Sequence, residues 1–315
     1  MTALAGLRTR LEKAGIEDAA FEAAQLYTLA TGRDAYLAGD EPLAPFEQER
    51  LDALCAKRCT RYPLQYLCGA WDFMDLTLKI GPGVLIPRAD TEVVAMAAIE
   101  AARVSGAARA AETAATAPKG PAVADLCSGS GAIALAVARH VPSARVTAVE
   151  VSPHALTFLR ANNNTYGSPL RVVWGDVFFW QNECAPESLD VIVSNPPYIA
   201  PEEFDSLAPE LAHEPRIALE AADGGLRFYR HIAPAYFSVL RPGGWLIFEI
   251  GCSQADAVTA LCRDAGYTSV SVRRDLGGNP RCVLARRPHK EHAGGPSLRE
   301  DAGSPSVCKC GGSGV

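Results

Sequence analysis

From residue 122 onwards short apolar runs alternate with stretches of helical spacing, and this alternation limits the possible folds more than any other feature of the chain. The runs at 122–126, 145–151, 170–174, 189–194, 245–250, 268–273 and 281–285 are short and rich in β-branched residues, which predicts strands. The stretches at 131–140, 153–163, 225–240 and 253–265 carry the helical period. Strands that alternate with helices predict an α/β fold, an open and mostly parallel sheet with helices on both faces. Ligands of such sheets lie beyond the carboxyl ends of the strands. The chemistry is therefore expected at the strand tips.

Upstream, the pattern is helical. Leu4, Leu7 and Leu11, then Phe21, Ala24, Leu26 and Leu29, then Phe46, Leu51 and Leu54 recur at spacings of three and four, with Gly15, Gly32, Gly39, Pro42 and Pro45 as breaks. Leu76-Thr77-Leu78-Lys79-Ile80 and Val84-Leu85-Ile86-Pro87 flank Gly81-Pro82-Gly83, which predicts a hairpin. A helix over 91–104 follows, then an Ala-rich segment with weak patterning. The predicted organisation is a helical domain (1–75), a hairpin-and-helix linker (76–104), a flexible insert (105–121), the α/β domain (122–287) and a disordered tail rich in Gly, Ser, Pro and charge (288–315).

Composition closes several alternatives. A length of 315 residues supports one large and one small core. The net charge of −6 argues against a partner held mainly through phosphates. Ten cysteines are scattered rather than concentrated in a short segment, which points to a reducing compartment and a cytoplasmic protein. The first residues lack the apolar core of a signal peptide, and no apolar run approaches the ~20 residues of a membrane span. The six histidines show no metal-ligand spacing, and Cys308-Lys309-Cys310 reads as part of a free end.

Three strand tips form a ligand-binding set. The first is Asp125-Leu126-Cys127-Ser128-Gly129-Ser130-Gly131, between an apolar strand and the helix beginning at Ala132. Gly129 and Gly131 let the backbone turn sharply and a ligand lie against it, beside the free N–H groups of a helix start. The same residues would also serve a plain strand–helix turn. Glu150 ends the next strand, about 19 residues after Gly131, where an acid can accept both hydroxyl hydrogens of a ribose; its other reading is a solvated strand end. The turn lacks the third glycine of a dinucleotide site, and Asp125 suits a ligand bearing an ammonium group, such as the methionine part of S-adenosylmethionine. Asp176 is a third tip acid, able to bond an adenine amino group with Val177 or Phe178 against the ring, or to cap a turn.

The fourth tip carries the chemistry. Ser194-Asn195-Pro196-Pro197-Tyr198 ends the apolar strand Val191-Ile192-Val193. Two prolines fix φ and remove two N–H donors, so the carbonyls there have no ladder to join. The Asn195 side-chain oxygen and the Pro196 carbonyl can accept both hydrogens of one planar NH₂ group, and Tyr198 can stack on that plane. An amide nitrogen is a poor nucleophile because its lone pair is delocalised. Holding both hydrogens and aiming the nitrogen at a sulfonium methyl overcomes this by positioning, worth effective molarities of ~10⁵ M or more.

With these motifs in place the chain resembles the HemK/PrmC family, the protein-(glutamine-N5) methyltransferases of peptide chain release factors. The resemblance covers about residues 1–287. It rests on Arg61-Tyr62-Pro63-Leu64-Gln65-Tyr66, Leu85-Ile86-Pro87-Arg88-Ala89-Asp90-Thr91-Glu92, the glycine turn, Asn195-Pro196-Pro197-Tyr198-Ile199, Glu214-Pro215, Arg241-Pro242-Gly243-Gly244, Glu249-Ile250-Gly251 and Asp275-Leu276-Gly277-Gly278-Asn279-Pro280-Arg281. It implies a Rossmann-like class I methyltransferase domain of seven strands behind a helical substrate-recognition domain. It implies S-adenosylmethionine as cofactor, held by Cys127 to Gly131, Glu150, Val177 and Asn195, beside the strand-tip acids Asp125 and Asp176. The implied substrate is the glutamine of the Gly-Gly-Gln tip of release factors one and two, held by Asn195, Pro196, Pro197 and Tyr198. Cys127 stands where many relatives have glycine, and Glu150 where aspartate is common. The enzyme is expected to act as a monomer with no direct nucleic-acid contact. Two other readings use the same residues: a base amino-methyltransferase acting on nucleic acid, and a binding module that kept the fold without the activity.

Overall fold

The computed structural model describes residues 3–37, 42–111 and 120–289. Four helices open the chain: α1 (Ala3–Lys13), α2 (Ala19–Thr31), α3 (Pro45–Cys59) and the short α4 (Leu64–Cys68). Their apolar stripes meet in one core, where Leu7, Leu11, Leu26, Tyr27, Leu51 and Cys55 are buried. A hairpin follows, β1 (Ala70–Phe73) against β2 (Leu76–Lys79), and then the long helix α5 (Glu92–Ala111).

The hairpin bends at residues 74–75, upstream of its predicted turn at 81–83. Met74 takes a left-handed φ of 53° at the bend between β1 and β2. Gly81 and Gly83 instead serve close packing, because a Cβ on either would come within 2.9 Å of the Phe158 ring or 2.8 Å of His154 Cβ. Val84 and Ile86 form no strand; they fill a small core with Tyr66 and Ile80. The predicted flexible insert is corrected in part. Residues 105–111 continue α5, and Arg109 pairs with the buried Asp190 at 2.7 Å. Residues 112–119 of that insert and the predicted tail from 290 onwards lie outside the described residues.

The α/β domain runs β3 (Ala122–Leu126), α6 (Ala132–His140), β4 (Arg145–Glu150), α7 (Pro153–Thr165), β5 (Leu170–Trp174), β6 (Leu189–Ser194), α8 (Arg227–Ala235), β7 (Leu240–Glu249), α9 (Ala255–Asp264), β8 (Thr268–Arg274) and β9 (Pro280–Arg286). The strands form one seven-stranded mixed sheet in the order β5-β4-β3-β6-β7-β9-β8, with β9 antiparallel to both neighbours. Successive residues of the central strands point to opposite faces. Val191 and Val193 pack with α5, α6 and α7, whereas Ile192 packs with α8 and α9. Both faces are covered, which is why these strands read as continuous apolar runs. The helix predicted over 225–240 stops at Ala235, and Leu240 already begins β7.

The order of the sheet reverses between β3 and β6. Adjacent crossovers leave in opposite directions there, so a crevice opens beyond the two carboxyl ends. Asp125 and Asn195 stand on its two sides.

Arg58 couples the helical domain to this crevice. It is 4% exposed and bonds Glu22 of α2 and, at 3.0 Å, Glu210, which lies in a one-turn 3-10 helix after β6. Arg61 pairs with the same Glu210 at 2.9 Å. Replacing Arg58 by Met removes the cation and leaves two carboxylates facing each other; a loss of about 3 kcal/mol is expected, read by denaturant titration.

Among the described residues no helix is long and apolar enough to cross a membrane, and no group of three or more His, Cys, Asp or Glu is placed to hold a metal ion.

Candidate active site

The glycine turn begins with a residue under steric load. Cys127 takes φ 61°, Gly129 56° and Gly131 88°, so three left-handed positions alternate along five residues. The two glycines are required for different reasons. A Cβ on Gly129 would meet nothing within 4 Å, because this position opens onto a cavity. A Cβ on Gly131 would lie 2.6 Å from Leu159 Cδ1 of α7. Gly131→Ala is therefore expected to destabilise the fold by about 3 kcal/mol, a fall in Tm of roughly 6–12 °C by calorimetry.

The turn is also braced from outside. Asn162 of α7 is fully buried; its Nδ2 donates to the carbonyls of Ser130 and Lys79, and its Oδ1 accepts from the Lys79 N–H at 2.7 Å. Ser128, 8% exposed, donates its hydroxyl to the Asp125 carbonyl at 2.7 Å. Ser130 is buried with it.

A cavity of about 300 Å³ covers the turn. Asp125 lines it and is 1% exposed. Its Oδ2 accepts from the Ala134 N–H at 3.1 Å, while Oδ1 is buried with no partner. Burial pushes its carboxyl up to about 7, against the bond from Ala134, and Glu150 adds to the rise. A buried acid with one orphan oxygen suits a cationic donor such as an ammonium group. Glu150 lies on the next strand tip. Its Oε2 accepts from the Gly129 N–H at 2.8 Å and its Oε1 from Ser152 at 2.7 Å. Burial raises its carboxyl too, and these backbone bonds oppose the rise. Each oxygen keeps a second lone pair for a hydroxyl donor.

Asp176 caps the turn, its Oδ1 accepting from the Phe178 N–H at 2.9 Å, and it also lines the cavity. Val177 is 4% exposed; its carbonyl is fixed by the Tyr236 hydroxyl at 2.9 Å, and its side chain joins the cavity wall. Phe178 and Phe228 add an aromatic side, with ring centroids 5.1 Å apart. The lining therefore fits a ligand with one cationic end, a pair of hydroxyls and a flat apolar part.

Asn195 follows directly on β6. It is half-buried, and Thr91 Oγ1 accepts from its Nδ2 at 3.5 Å, so Oδ1 is the opposite end of the carboxamide. Pro197 lines the first cavity and Tyr198 lines a second one of about 590 Å³. Pro196 is buried between them and lines neither. The second cavity is walled by Arg58 and Leu64 of the helical domain, by residues 85, 86 and 88–90, and by Glu210, Glu214 and Leu219. Leu85, Arg88, Asn195 and Ala218 belong to both cavities. Asn195 thus stands in a common wall.

Several residues here had no role in the sequence reading. Glu214 is 6% exposed; its Oε2 accepts from the Ile86 N–H at 3.0 Å, and Oε1 meets Arg88, which fixes the 85–90 segment over the crevice. Glu249 is 1% exposed at the tip of β7, beside Tyr198. The signal for Glu249 was present, since it is a strand-tip acid like Glu150. Glu214 appeared only within the Glu214-Pro215 motif, with nothing to say what it holds, because its partners are 126 and 128 residues away.

Comparison with known proteins gives this geometry a family. Residues 2–69 match the model of the PrmC N-terminal domain, and residues 105–240 that of the methyltransferase small domain. A release factor glutamine methyltransferase of Geobacter sulfurreducens is 37% identical over 283 residues, which is 89% of this chain and 93% of that protein. One from Moorella thermoacetica is 39% identical over 287 residues, 88% and 95% of the two chains. The crystal structure of a release-factor-specific protein-(glutamine-N5) methyltransferase from Alicyclobacillus acidocaldarius aligns over 67% of this chain and 99% of that chain, at 29% identity and a TM-score of 0.39. Identity at this level across nearly the full length of both relatives, with the two family models in the same order along the sequence, leaves one conclusion: the chain belongs to the family of release factor glutamine methyltransferases.

Proposed function

We propose that this enzyme methylates the side-chain amide nitrogen of the Gly-Gly-Gln glutamine in release factors one and two, with S-adenosylmethionine in the first cavity and the glutamine in the second. The observation that carries the reading is the position of Asn195 in the wall common to both cavities. An atom there can face a methyl donor on one side and an acceptor on the other.

S-adenosylmethionine, when bound, supplies an electrophilic methyl group on a sulfonium. The rest is the work of the chain. Asp125 Oδ1 accepts from the ammonium, Glu150 from the ribose hydroxyls and Asp176 from the adenine amino group, with Val177 against the ring. Cys127, Ser128, Gly129, Ser130 and Gly131 form the floor. On the acceptor side Asn195 Oδ1 takes one hydrogen of the glutamine NH₂ and Tyr198 confines its plane, while Pro196, which lines neither cavity, and Pro197, which lines the first, keep the strand end that carries them rigid. No covalent enzyme intermediate is needed, so catalysis is positioning. Residues 1–75 form the domain that grips the release factor, 76–104 a linker and 122–287 the catalytic domain. We place the enzyme in the cytoplasm as a monomer, with protein rather than nucleic acid as acceptor.

The test is incubation with methyl-labelled S-adenosylmethionine and either bacterial release factor or nucleic acid, followed by mass spectrometry of the release-factor tip peptide. One methyl group on the glutamine is expected. Label on nucleic acid alone would overturn the reading.

A further inference from the structure

Methylation of a primary amide releases one proton, and neither Asn195 nor a backbone carbonyl is a base able to keep it. Five carboxylates line the second cavity: Glu22, Asp90, Glu210, Glu214 and Glu249. Four are held by guanidinium groups. Glu22 bonds Arg58, Glu210 bonds Arg58 and Arg61, Glu214 bonds Arg88, and Asp90 lies 3.2 Å from Arg281. Glu249 differs. It is 1% exposed, its Oε1 meets the Tyr198 hydroxyl only at a long 3.5 Å, and its Oε2 is buried with no hydrogen-bond partner. Its position is fixed by the fold, since Ser194 pairs with Phe248 across the parallel β6–β7 ladder, which sets Glu249 beside Asn195. The Tyr229 hydroxyl of α8 locks its backbone carbonyl at 2.8 Å.

We propose that Glu249 is the base that receives the proton lost by the glutamine nitrogen, an inference that rests on the reading of this cavity as the acceptor site. The nitrogen lone pair forms the new N–C bond as the S–C bond breaks and its electron pair stays on sulfur. The nitrogen, now carrying a formal positive charge, passes one proton to Glu249 Oε2, and the amide is restored as its N-methyl form. The groups facing Glu249 suit this task. Burial pushes its carboxyl up to about 7, Asp90 adds to the rise, and Thr91, Arg281 and Tyr198 draw it down. A base with that poise is partly ionised at neutral pH and strong enough to take up the proton.

The experiment is single-turnover methyl transfer to intact release factor across pH, with S-adenosylmethionine saturating so that titration of Asp125 does not enter. Absence of glutamine methylation by the wild type defeats the acceptor reading itself and is seen before any variant is made. Given that methylation, the wild-type rate is expected to fall about tenfold per pH unit below about 7, because only the carboxylate accepts a proton. Glu249→Gln keeps size and hydrogen-bond acceptance but not basicity. It is expected to be ~100-fold slower or worse and to lose that slope, with Tm, cofactor affinity and release-factor affinity unchanged. A Gln variant with wild-type rate, or a slow one that keeps the slope, overturns the proposal. So does a flat wild-type profile, which stands even where the variant does not fold.

Discussion

Asn195→Ala is expected to fold, to bind S-adenosylmethionine with little loss, and to methylate release factor a hundredfold to a thousandfold more slowly, about what removal of one well-placed polar group costs an active site. The reason is specific to this strand end. Asn195 is half-buried and its Nδ2 donates weakly to Thr91 at 3.5 Å, so truncation breaks no strong structural bond. What is lost is the side-chain acceptor that holds the glutamine nitrogen flat and aimed. The loss should appear mainly in kcat, because the rest of the release factor still binds through surfaces far from Asn195. Steady-state kinetics with calorimetry of cofactor binding check this. A variant that turns over like the wild type, or one that fails only in cofactor affinity, contradicts the assignment.

Gly129→Val is expected to remove cofactor binding, with affinity at least ~100-fold weaker by calorimetry. The Cβ position at Gly129 faces open cavity, so the fold has room for the side chain but the ligand does not. The left-handed φ of 56° adds a backbone cost of about 1–2 kcal/mol for a branched residue. The variant should therefore melt somewhat lower and still fold. The contrast with Gly131→Ala is the sharper test. There the obstruction is Leu159 rather than the ligand, so stability falls first. Wild-type affinity in Gly129→Val would mean that the cavity over the turn is not the cofactor site.

The first cavity was legible because its determinants are local. A glycine turn between a strand and a helix, followed by acids at the next two strand tips, is written in consecutive elements. Once the sheet is parallel those tips must lie on one edge. Asp125, Glu150 and Asp176 line a single cavity for that reason. The misplaced hairpin shows the limit of local reading. Gly81-Pro82-Gly83 has the composition of a turn, but its glycines answer to Phe158 and His154 on α7, about 75 residues later.

The acceptor half was not legible in this way. Part of its wall comes from short 3-10 helices at Pro209–His213 and Arg216–Ala218, which carry no periodicity to read. Their positions depend on Glu210 reaching Arg58 and Arg61, and on Glu214 reaching Arg88 and Ile86. Such pairs link residues more than a hundred positions apart. Nothing in either segment alone specifies the other.

The sequence by itself determined the alternating strands and helices, the glycine turn, the strand-tip acids and the proline-locked Asn195, because each follows from neighbours along the chain. Only the tertiary structure decided that Asn195 separates two cavities, that Glu249 lines the second and keeps a buried unpartnered oxygen, and that the helical domain closes one wall through Arg58. The physical reason is that backbone conformation and apolar period are local properties. Burial of a charge, and the partner it finds or lacks, is settled only when distant segments pack.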